Sequence, residues 1–181
     1  MKKSTLAFVF VFALLLIYVL QVEKKQTPHG MSSLSQGQPL FDFKPEEAKR
    51  LEITRGKQIM EFDQNNKNQW EIIKPFHAVA DAQLCNNFIE SLSELTSLHS
   101  INRTEPLSAY GLDPGSLHIH LELKSGLPID LQVGAMDPTR EGLYAYLPRK
   151  GELVLLSLTF GAELNRPIDA WRDHSINKQN H

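Results

Sequence analysis

The sequence predicts an α+β protein: an N-terminal transmembrane helix, then one extracytoplasmic domain of antiparallel β-meanders packed on a helix. Three observations predict the domain's class. Strand-type alternation of apolar and polar residues recurs in two blocks, near residues 49–72 and 117–156. One clear helical stripe lies between them. Within each block the strands are separated by turn residues rather than by helices, so the strand–helix alternation of a parallel sheet is missing. The predicted order is β-β-β-α-β-β-β-β-α.

Taken from the start, residues 6–22 (LAFVFVFALLLIYVLQV) form a charge-free apolar run between Lys2, Lys3 and Glu23, Lys24, Lys25. At about 1.5 Å per residue the run spans roughly 25 Å as a helix, just under the thickness of a bilayer's hydrocarbon. A cleaved signal peptide shares the basic start and apolar core, but residues 18–22 offer no small residues for cleavage. A lipoprotein would need a cysteine just after the run, and Cys85 is the sole cysteine. Residues 1–25 therefore read as a single-pass signal-anchor in the inner (plasma) membrane, with the C-terminal domain periplasmic. Residues 26–39 (QTPHGMSSLSQGQP) are poor in apolar side chains and read as a flexible tether.

The domain is expected over 40–176, with a tail at 177–181. Pro45-Glu46-Glu47 suits one helical turn. In 49–55, Leu51 and Ile53 share one face and Glu52 and Thr54 the other. Gly56 turns the chain into a second strand at 58–63. Residues 65–68 (NNKN) turn it again, since Asn tolerates left-handed backbone. Trp70 and Ile72 share a face of a third strand, which Pro75 stops. Asp81 is the expected N-cap of the helix, whose stripe is Leu84, Phe88, Leu92 and Leu95, widened by Ile89 and Leu98.

After a turn-rich connector at 104–115, Leu117, Ile119, Leu121 and Leu123 face one way and His118, His120 and Glu122 the other. Ile129, Leu131 and Val133 continue the alternation, followed by a strand with Tyr144 and Tyr146. The unbroken apolar run at 152–156 suggests a strand covered on both faces. A short helix is expected at 159–165, and 168–176 closes the domain.

Composition narrows the function. From Pro28 onward there are fifteen basic and twenty acidic side chains, a net charge near −5. That balance opposes sequence-independent nucleic-acid binding, which runs on clustered positive charge, and docking of the domain on anionic lipid. Cys85 cannot form an intramolecular disulfide and sits on the helix's apolar side, as a small buried residue would.

His118, His120 and Glu122 are the sharpest chemical candidate. Alternate residues of a strand point the same way, so two imidazoles and a carboxylate line up as zinc-type ligands would. Yet His118 and Glu122 stand about 13 Å apart along a strand, too far for one ion to gather both easily. A solvated polar face explains the same residues, so no metal site is assigned. No Gly-x-Ser-x-Gly elbow or phosphate-cradling glycine loop occurs. Glu46 and Glu47 suit a helix start better than acid–base chemistry. Tyr144 and Tyr146 suit aromatic packing within the sheet better than a recognition surface. No catalytic residue, cofactor or metal is assigned.

Several stretches together resemble a known family. They are Trp70 closing the first meander, Pro75 leading to Ala80-Asp81-Ala82, the Tyr110-Gly111-Leu112-Asp113-Pro114 run, Leu143-Tyr144-Ala145-Tyr146, and the closing Trp171-Arg172-Asp173. The chain resembles the domain-of-unknown-function 4340 family over about residues 40–176. The resemblance implies a bacterial, membrane-tethered protein, and some relatives sit beside transporter components. It carries over no catalytic residues. The expectation is a non-enzymatic interaction or scaffold module with an envelope protein partner. The alternatives are an accessory subunit of a transporter assembly, and a small-ligand or metal-binding domain using the His118, His120 and Glu122 face.

Overall fold

The structure, a computed structural model, describes residues 39–174. The expected transmembrane helix, the tether before Pro39 and the tail lie outside the described residues. Among the described residues no helix is long and apolar enough to cross a membrane.

The strands are β1 (Ala48–Arg55), β2 (Gln58–Gln64), β3 (Trp70–Lys74), β4 (Ala78–Val79), β5 (His99–Ile101), β6 (Leu117–Leu123), β7 (Pro128–Met136), β8 (Gly142–Leu147) and β9 (Glu152–Ser157). The helices are α1 (Ala82–Ser93) and α2 (Leu158–Leu164). Among the described residues the strands form one nine-stranded sheet in the order β4-β3-β2-β1-β6-β7-β8-β9-β5. Every neighbouring pair is antiparallel. Two meanders are thus fused along β1 and β6, with Leu51 opposite Leu121 and Ile53 opposite Ile119. The class is α+β with an antiparallel sheet, as the alternation predicts.

The inner face carries the core. Leu51, Ile53, Phe62, Ile119, Leu121 and Leu131 are almost fully buried in one apolar cluster. Into the same cluster α1 sinks Cys85, Phe88, Ile89 and Leu92. Burying each large side chain stabilises by about 1.5–3 kcal/mol. The Asp81 carboxylate accepts from the backbone N–H of Leu84 at 3.0 Å and so caps α1, as expected. From α2, Phe160 stacks on Phe88 with ring centroids 6.1 Å apart. Trp171, 1% exposed, closes the core against Phe62 and Phe88.

Two features depart from the sequence expectation. Strands β4 and β5 hold two and three residues, too few to show an alternation. The helix ends at Ser93, so Leu95 and Leu98 lie beyond it. Leu95 is buried in the core, whereas the Leu98 N–H donates to the Leu155 carbonyl at 2.8 Å on the way into β5. Their spacing imitates a helical stripe because the loop must also bury Leu95.

Candidate functional site

His118, His120 and Glu122 do share the outer face of β6, since Leu117, Ile119, Leu121 and Leu123 are all buried on the other. The structure then divides them among separate partners. His118 Nε2 lies 3.5 Å from Ser116 Oγ. His120 Nδ1 lies 2.6 Å from Asp130 Oδ1, whose other oxygen is 3.6 Å from Arg149. Glu122 accepts from Lys49 Nζ at 2.8 Å. Lys49 holds the Glu122 carboxyl below its ordinary range, against a smaller upward push from desolvation. Among the described residues no three His, Cys, Asp or Glu side chains converge as metal ligands would.

This face is a ladder of charges. Lys74, Glu61, Glu52, His120 and Asp130 stand opposite one another in turn across β3, β2, β1, β6 and β7. Lys74 Nζ is 2.7 Å from Glu61 Oε2, and Arg50 donates to Asp63 at 2.9 Å. Glu61 is largely covered in this ladder, whereas the cations facing it and Asp63 stay exposed to solvent, so each pair contributes little on its own.

The other singled-out residues take structural places. Burial pushes the Cys85 thiol up to about 12, with a smaller contribution from Asp81, so the reactive thiolate is suppressed at neutral pH. Tyr144 meets Tyr110 edge to face, with centroids 5.0 Å apart, so its aromatic partner comes from the connector before β6 rather than from within the sheet. In the Gly111-Leu112-Asp113-Pro114 stretch, Gly111 adopts φ +70° and the Asp113 carboxylate accepts from the Gly115 N–H at 2.8 Å. The buried Gln132 amide ties this loop to β7, donating to the Asp113 carbonyl at 3.1 Å and to Ser116 Oγ at 2.8 Å.

Two groups escaped sequence reasoning. Asp137 is buried at the β7–β8 turn, where its carboxylate accepts from the Gly142 N–H at 2.8 Å, from the Thr139 N–H at 3.0 Å and from the Thr139 hydroxyl. These bonds, the Thr139 hydroxyl first, hold the carboxyl below its ordinary range. Asp-Pro-Thr is a turn signature that carried the clue. The second group lines a cavity of about 580 Å³ between the β1–β2 hairpin and the segment after α2. Ile53, Met60, Leu117 and Leu164 wall it, and Arg55, Lys57 and Arg166 stand at its edge. No local pattern links these residues, because they come from distant parts of the chain.

No curated protein and no solved structure matches the chain. The family described as "Domain of unknown function (DUF4340)" matches residues 70–180, from β3 onward and over more than half of the chain. The match begins after β1 and β2, although both strands are integral to the sheet. The chain therefore belongs to the DUF4340 family.

Proposed function

We propose that this protein is a non-enzymatic module of the bacterial envelope, anchored in the inner membrane through residues 6–22 and presenting its α+β domain on the periplasmic side to a protein partner. One observation carries the reading: a charge-free apolar run, a polar tether and a folded domain follow one another in that order. The acidic balance of the domain supports attachment through the anchor rather than through the domain's own surface. An accessory subunit of a transporter assembly is a narrower form of the same proposal, supported by the family's company.

The test is a full-length chain with a protease site placed just after Val22, expressed in native membranes and crosslinked before solubilisation. The expected result is a protease-accessible site on the extracytoplasmic side and one envelope protein crosslinked to the domain. A site cleaved only from the cytoplasmic side would overturn the topology. Recovery of the chain uncrosslinked to any protein would overturn the interaction role.

A further inference from the structure

The geometry points to the cavity between the β1–β2 hairpin and the segment after α2 as a binding site for a small anionic amphiphile: an aliphatic chain ending in a carboxylate. This inference stands apart from the partner proposed above and does not depend on it.

The cavity follows from register. On the inner face, Leu51 lies opposite Phe62 and Leu121, and this row is fully buried. The next row is Met60, Ile53 and Ile119, and the last is Gln58, Arg55 and Leu117. Toward the hairpin the face changes from apolar to polar, from Ile53 and Met60 to Arg55 and Gln58. The result is a partly enclosed volume of about 580 Å³, within the range of ordinary small-ligand sites. Its deep side is Ile53, Met60 and Leu164, and its edge carries Arg55, Lys57 and Arg166.

Charge selects the ligand's head. None of the residues lining the cavity is acidic, although the chain as a whole has more acidic than basic side chains. Among the described residues Arg55 gives its guanidinium only to neutral acceptors, the Leu164 carbonyl at 3.2 Å and Asn165 Oδ1 at 3.0 Å. These bonds hold it at the end of α2, where no carboxylate of the described residues pairs with it. Elsewhere on the sheet Lys49, Arg50 and Lys74 each face a carboxylate. Three cations around an apolar volume attract an anion and disfavour a cation or a neutral polar group.

The backbone selects the tail. A peptide lying in the cavity would need partners for its own N–H and C=O groups. The central strand of the floor, β1, has none to offer, because it is paired on both sides along Ile53 to Arg55 by β2 and β6. An aliphatic chain brings no such groups and needs only the apolar walls.

The experiment uses the full chain in lipid vesicles, photolabelled with decanoate bearing a diazirine on its chain, the adducts being mapped by peptide mass spectrometry. Labelling of residues 6–22 reports simple partitioning into the bilayer. The expected result is labelling near Met60 and Leu164 that unlabelled decanoate displaces and decanol does not. In the double variant Lys57→Gln/Arg166→Gln, which changes two exposed side chains, this labelling falls about tenfold while that of the anchor is unchanged. The Lys57→Arg/Arg166→Lys variant, which keeps both charges, retains it. Equal displacement by decanol, no labelling of the domain, or labelling indifferent to the charge change would each overturn the site. Crosslinking of an acidic protein segment at these residues in place of the probe would overturn the choice of occupant.

Discussion

Gly111 and Gly134 pack backbone against backbone, seating the Gly-Leu-Asp-Pro loop on β7. A Cβ at Gly134 would stand 2.3 Å from the Tyr110 carbonyl oxygen and 3.1 Å from the Gly111 carbonyl carbon. A Cβ at Gly111 would stand 2.6 Å from the Ala135 nitrogen, on a residue already at φ +70°. The contact coincides with a register shift between Val133 and Met136, where β7 breaks its regular pairing with β8.

Gly134→Ala is therefore expected to destabilise the domain by about 2–3 kcal/mol, since backbone must move to admit one methyl group. Gly126→Ala is the control for a glycine with open space around it, and its cost is the conformational strain of φ +81° alone, about 1 kcal/mol. Denaturant unfolding followed by circular dichroism compares the two. Equal losses at both positions would remove the packing role of Gly134.

Trp171 joins the last described segment to the centre of the core. Its ring lies 5.1 Å from Phe62 and 5.5 Å from Phe88, centroid to centroid. Trp171→Ala is expected to cost about 3–5 kcal/mol by opening a large cavity. Thermal unfolding should show it as one of the largest losses for a single substitution. A shift of only a degree or two would mean that the closing segment is dispensable to the core.

The Asp137 turn makes stability depend on pH. A carboxyl whose pKa is lower folded than unfolded stabilises above the unfolded value, near 4, and that contribution is lost as pH falls through the folded value. Thr139→Val removes the hydroxyl that contributes most to the lowering. The wild type should exceed this variant in stability at pH 7, with the gap narrowing below about pH 4. A gap constant from pH 7 to pH 3 would show that the hydroxyl does not act through the Asp137 charge.

For the histidine face, the expected zinc content of the purified full chain is well below one equivalent, because His118, His120 and Glu122 each face a different partner. Elemental analysis checks it. One equivalent of zinc that disappears on His120→Ala would establish a site there.

Much of this was legible in the residues because strand alternation, helix capping and turn formation are short-range. Leu51 and Ile53, Asp81, and Asn68 at φ 58° each declare their structure to a reader of their neighbours. Leu95 misled because apolar spacing records burial, which a loop can require as well as a helix, and Leu98, though exposed, happened to continue the spacing. His118, His120 and Glu122 were correctly placed on one face, but their distribution among Ser116, Asp130 and Lys49 depends on strands β1 and β7 and could not be read from β6 alone.

By itself, then, the sequence determined the α+β class, the two meanders, the capped helix between them and the apolar run ahead of the domain, since each is written in a local period or composition. Only the tertiary structure decided that β1 pairs with β6 to make one sheet from two meanders. Only it decided that Gly111 meets Gly134, and that Arg55, Lys57 and Arg166 gather around one cavity. The physical reason is that periodicity tells a strand which face to bury but not which distant strand to pair with. That choice rests on the burial and hydrogen bonding of the whole chain at once.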